Sequence, residues 1–141
     1  FFALAPDQPP GRRLRWVGSL HALGGFDGKN NTASMERLED GTHRWTSCQS
    51  LPGPRRGLAA ASYQGRIFVV GGWDGREYLD TSHVFDTATD SWIEGKRMLT
   101  PRCFAGCAVV QRKLYVVGGY FGATNLASAE AMDLETGEWE A

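Results

Sequence analysis

Apolar residues along this chain come in short bursts that stop at paired glycines. The runs LHAL (Leu20–Leu23), IFVV (Ile67–Val70) and LYVV (Leu114–Val117) end at Gly24-Gly25, Gly71-Gly72 and Gly118-Gly119. The pairs stand 47 residues apart, and Trp45, Trp92 and Trp139 keep the same interval. Two unrelated rare features in one phase define a repeat, and 141 residues hold three copies of it. Seven residues before each Trp stands a large apolar residue (Leu38, Phe85, Met132), followed by an acid (Glu39, Asp86, Asp133). Pro54-Arg55 recurs as Pro101-Arg102.

Within the second unit, GLAAASY (Gly57–Tyr63), RIFVV (Arg66–Val70), LDTSHVF (Leu79–Phe85) and SWIEG (Ser91–Gly95) are strand-length runs bounded by turn residues. Asp86, Thr87 and Asp90 supply a tight turn between the last two. No stretch sustains the i, i+3, i+4, i+7 apolar spacing of a helix. The pattern predicts an all-β chain of three four-stranded antiparallel units, 1–47, 48–94 and 95–141. A period of this length means units that are stacked or arranged radially. The first strand of the first unit, within Pro9–Ser19, is out of register with the others.

Composition narrows the function. A net charge of -1 gives no footprint for nucleic acid, and the longest apolar runs are too short to span a bilayer. Three cysteines, Cys48, Cys103 and Cys107, form no CxxC pair and no even disulfide set. They favour a reducing compartment, and hence the cytoplasm or nucleus. The chain opens on Phe rather than Met and stops just after Trp139, which leads us to expect a piece of a longer protein.

Motifs that carry chemistry are missing. GGWDGREYLDTS (Gly71–Ser82) lacks the G-x-G-x-x-G spacing and the following helix of a dinucleotide site. DGKNNTASME (Asp27–Glu36) puts Lys29 at a ligand position of a calcium loop and misplaces the glycine and closing Glu. Asn30-Asn31-Thr32 is a formal sequon only. His21, His43 and His83 share no register, so no metal site is expected. Cys103, beside Arg102, is the candidate redox thiol, and Cys107 reads as a small core residue. No nucleophile motif or paired carboxylate stands out, so neither enzymatic activity nor a cofactor is expected.

Four strands per unit, a glycine pair closing the second and a Trp on the fourth resemble the kelch repeat of β-propellers. Leu38, Phe85 and Met132 depart from the Tyr common at that place in kelch units. The resemblance implies three propeller blades whose glycines let backbones crowd together and whose Trp rings fill the wedge between neighbours. Three blades cannot close a ring, so either further blades or pairing of two chains is implied.

MLTPRCFAGCAVVQRKLYVVGGY (Met98–Tyr120) and GGWDGREYLDTSHVFD (Gly71–Asp86) are similar to the kelch domains of BTB–kelch proteins. Those domains hold substrates for cullin ubiquitin ligases. The resemblance implies a partner face built from Arg55, Arg56 and Arg102; in the first unit, Arg12 and Arg13 stand at the stretch read as the corresponding strand entrance. It adds the aromatics after each glycine pair, Phe26, Trp73 and Tyr120. Arginine and aromatics dominate interface hot spots and suit an acidic or polar peptide. The alternatives are a scaffold for actin or another cytoskeletal partner, and part of a kelch-type enzyme or sugar-binding propeller.

Overall fold

Successive strand residues face opposite ways, so a short apolar run is covered only when sheets stack on both its sides. The computed structural model describes residues 18–39 and 42–141, and among them there is no helix. Strands β1 (Leu20–Leu23), β2 (Met35–Leu38) and β3 (Trp45–Ser47) form the first antiparallel sheet in chain order. The second sheet runs β4 (Ala59–Tyr63), β5 (Arg66–Val70), β6 (Ser82–Asp86), β7 (Ser91–Glu94). The third begins with β8 (Gly106–Val110) and β9 (Lys113–Val117). A small hairpin follows, β10 (Tyr120–Phe121) and β11 (Thr124–Asn125), before β12 (Ala129–Asp133) and β13 (Trp139–Glu140) complete the order β13-β12-β9-β8. The all-β reading holds. The first strand expected of the first unit lies outside the described residues.

The seven-residue spacing has a simple cause. Leu38 pairs with Trp45, Phe85 with Trp92, and Met132 with Trp139 across the last hairpin of each sheet. The acid that follows each apolar residue serves the turn: Asp86 Oδ1 accepts the amides of Ala88 and Thr89, and Asp133 Oδ1 those of Glu135 and Thr136.

Alternate residues of the second sheet enter two different cores. Ala60, Ile67, Val69 and Phe85 pack with Met35 and Leu23 of the first sheet. Ala59, Ala61, Phe68 and Val70 pack with Leu114, Val116 and Met132 of the third. Each such buried side chain of Val, Leu or Phe size contributes about 1.5–3 kcal/mol. On the third sheet, Val110, Tyr115 and Val117 occupy the places of Tyr63, Phe68 and Val70, and they are exposed.

Between sheets the chain crosses as a strap. Cys48, Leu51 and Arg55 donate their amides to Met35, Ala33 and Thr32, and Gly95, Met98 and Arg102 repeat this on Ser82, Asp80 and Leu79. Leu51 and Met98 plug the cores from the straps. The tryptophans clamp them from outside: Nε1 of Trp92 donates to the Gln49 carbonyl at 2.9 Å, and that of Trp139 to Lys96 at 2.9 Å. These rings are half-buried strap clamps as much as wedge fillers, because the indole N–H must reach a carbonyl. Trp45 is 44% exposed, and the residue 43 positions before it lies outside the described residues.

Candidate functional site

One end of the stacked sheets is formed by the chain as it leaves each glycine pair and enters the following first strand. Asp74 shapes the loop of the second sheet: its Oδ1 accepts the amides of Arg76 at 2.7 Å and Glu77 at 2.8 Å. Asp27 does the same for Lys29 and Asn30 in the first. These backbone bonds hold both carboxyls below the ordinary range. The tightened loop brings Trp73 against Tyr78, ring centroids 4.6 Å apart. Tyr78 also lies edge-on to Tyr120 and Phe121 of the third sheet, each at 5.7 Å, and its hydroxyl donates to the Gly122 carbonyl. A four-ring cluster therefore spans two sheets.

Arg56 belongs to this end. Its amide donates to the Trp73 carbonyl and the Trp73 amide donates back, at 3.0 and 2.8 Å. Its guanidinium sits over the Phe26 ring, 5.2 Å from the centroid, a cation–π geometry. Cys103 takes the same bridging place opposite Tyr120.

Beside it stands Phe104, 69% exposed and in the left-handed region at φ 57°. The second unit puts Gly57 at that place, with φ 60°. A bulky residue in this conformation is strained by about 1–3 kcal/mol, and such strain collects at functional sites. The Phe104 ring lies on Gly57, whose Cβ would fall 2.9 Å from Cε1. An open groove of about 330 Å³ runs here between Leu23, Gly24, Leu58 and Phe104.

Of the six side chains expected at a partner, Arg56, Phe26, Trp73 and Tyr120 lie at this end. Arg55 and Arg102 require correction, because both point inward, 4% and 1% exposed. Arg102 donates to Gly118 O, to Ser128 O and Oγ, and twice to Glu130 Oε1, at 2.8–3.1 Å. Arg55 donates to Gly71 O and Thr81 Oγ1. Each points into its own sheet rather than to solvent. Arg12 and Arg13 lie outside the described residues.

The surroundings of Cys103 do not favour it as a redox thiol. The thiol is 1% exposed and burial pushes it up, while Arg102 turns away to Glu130. Burial raises Cys107 to about 11. Among the described residues, no group of three His, Cys, Asp or Glu is placed to hold a metal.

Sequence reasoning missed Tyr78, Phe121 and Phe104. The available signal for Phe104 was a large side chain in phase with a glycine.

Meander sheets stacked through glycine-paired strands, with loops gathered at one end, define a partial β-propeller. The profile described as the KLHDC2/KLHL20/DRC7 Kelch-repeats domain matches residues 14–141, and the chain belongs to this kelch-repeat family. Comparison with individually curated proteins finds no match. Domains of this kind serve in general as protein-interaction modules.

Proposed function

We propose that the chain is a non-catalytic recognition module that grips a peptide segment at its aromatic end, as the substrate-holding part of a ubiquitin-ligase adaptor. The observation that carries this reading is the Trp73–Tyr78–Tyr120–Phe121 cluster with Arg56 beside it. Rigid rings supply large contact area at small entropic cost, and the Arg56 guanidinium makes no side-chain hydrogen bond to the described residues.

With Arg55 and Arg102 internal, the fitting ligand is less acidic than three arginines imply. It carries an aromatic or aliphatic anchor for the rings and one carboxylate for Arg56. The exposed Val110, Tyr115 and Val117 support packing of another unit of the same kind on the third sheet, by further blades or by a second chain.

Selection of peptides from a displayed library on the purified chain tests the site. Selected peptides should lose about tenfold or more in affinity to Trp73→Ala and Arg56→Ala, in line with hot-spot truncations. Ile93→Ala, on the exposed last strand of the second sheet, should leave affinity unchanged. Equal affinity for all four proteins sinks the assignment. For the adaptor role, the intact protein should co-purify with a cullin. Purifications that retain a cytoskeletal partner and no cullin favour the scaffold reading.

A further inference from the structure

The two seams between sheets are built alike around one arginine each, and they differ in what the guanidinium reaches: Arg102 bonds Ser128 O and Glu130, and Arg55 bonds neither counterpart. At the second seam, Arg102 donates its amide to Leu79 and accepts from the Gly72 amide at 2.7 Å, both across the junction. Its guanidinium anchors this crossing in the third sheet through Glu130. At the first seam, Arg55 donates its amide to Thr32 and accepts from the Gly25 amide at 2.8 Å. Its anchors in the second sheet are Gly71 O and Thr81 Oγ1, the counterparts of Gly118 O and Ser128. The counterpart of Glu130 is His83.

Among the described residues, only two buried side-chain nitrogen or oxygen atoms lack a hydrogen-bond partner: Arg55 Nε and His83 Nδ1. They correspond to the Arg102 Nε and Glu130 Oε1 that bond at 3.1 Å. One is a donor, and the other is an acceptor in the neutral tautomer that carries its proton on Nε2. The substitution is matched nearby. Glu130 Oε2 accepts the Leu99 amide at 2.6 Å, whereas the second unit has Pro52 at that place, with no N–H to satisfy.

We propose that the first seam is an acid-labile latch in which the unpartnered Nδ1 of neutral His83 is the acceptor that Arg55 Nε takes up, where the second seam carries the Glu130 carboxylate instead of an imidazole. The latch does not depend on what the aromatic end binds. Protonation of His83 removes the acceptor and places a second cation beside a buried guanidinium. The groups around His83 are Arg55 from the strap, Glu94 opposite it on β7, Val69 on β5 and the Trp92 ring edge-on.

Burial first, and Arg55 second, lower its pKa below the ordinary 6.5, against a weaker opposite pull from Glu94. The unfolded chain therefore takes this proton first as pH falls. Stability is level above about pH 6.5 and is lost below it, down through the native value. Loosening the first seam frees the segment that carries Arg56 over Phe26, so acid acts on the aromatic end from beneath.

Amide hydrogen exchange, expressed as protection factors, reads the two seams separately. Between about pH 7.5 and about pH 5, the Gly25 and Arg55 amides should lose protection several-fold more than those of Gly72 and Arg102. His83→Gln, whose amide oxygen accepts without titrating, and His83→Glu should both abolish the difference. Equal loss at the two seams overturns the latch, as does a difference that survives in His83→Gln. Should neither variant fold, the wild-type His83 imidazole titration by NMR decides. A midpoint at or above the ordinary histidine value overturns the latch, and one below it supports it.

Discussion

A Cβ on Gly71 would stand 2.3 Å from the carbonyl oxygen of Arg102, on the next sheet's strap. Gly71 has φ 64°, and its counterpart Gly118 has φ 66°, with only the Leu126 carbonyl at 3.4 Å. The two positions share one backbone strain and differ in crowding. Gly118→Ala should cost about 1–2 kcal/mol from the left-handed conformation alone. Gly71→Ala should cost about 2–3 kcal/mol more, because a backbone atom rather than a side chain stands in the way. Urea midpoints measure the difference, and equal losses would mean that the seam yields easily.

Arg102 and Glu130 are a buried ion pair, with side chains 1% and 2% exposed. Arg102→Ala leaves the carboxylate without its cation and should destabilise by about 3–5 kcal/mol. Arg102→Lys should recover little of this, since an ammonium cannot serve Gly118, Ser128 and Glu130 together. Thermal unfolding checks both. Arg56→Ala, at the exposed end, should stay within about 0.5 kcal/mol of wild type.

Phe104 sets stability against recognition. Phe104→Gly relieves a left-handed residue at the place where the second unit already uses glycine, and folding stability should stay level or rise by up to about 1 kcal/mol. Affinity for selected peptides should fall. A variant that binds as wild type does would assign Phe104 to packing on Gly57 alone.

Trp92 separates two contributions. Trp92→Phe keeps a ring beside Phe85, 5.0 Å away, but loses the N–H bond to Gln49. It should cost about 1 kcal/mol. Trp92→Ala should cost about 2–4 kcal/mol, toward the lower part of the range for large core truncations because the ring is half-buried.

Thiol chemistry should be quiet in the native state. Burial raises Cys48, Cys103 and Cys107 alike, with Cys107 at about 11. Alkylation near neutral pH should be slower than for the unfolded chain by at least about tenfold at Cys103 and Cys107. Mass spectrometry of labelled peptides measures each site, and fast labelling of Cys103 would restore its redox role.

Much of the architecture was legible in the chain, because its periodic features are local. The glycine pairs stop strands, the apolar residue seven before each Trp is its hairpin partner, and the acids cap the turns between them. Each of these needs only neighbours in sequence. The aromatic end was half legible: Trp73, Tyr120 and Phe26 stand out by phase, while Tyr78 joins them only through a loop that folds back on Asp74.

By itself, the sequence determined the all-β repeat, its strands and the family pattern that places a residue beside each glycine pair. Where the long polar side chains point was decided by the tertiary structure. Arg55 and Arg102 read as surface charge because arginine usually is, yet inside its own sheet Arg55 finds one backbone carbonyl and a hydroxyl, and Arg102 two carbonyls and a hydroxyl. Arg102 adds the Glu130 carboxylate, a partner that lies 28 residues away in sequence. Burial of a charge is set by its partners, and only the stacked sheets bring those partners together.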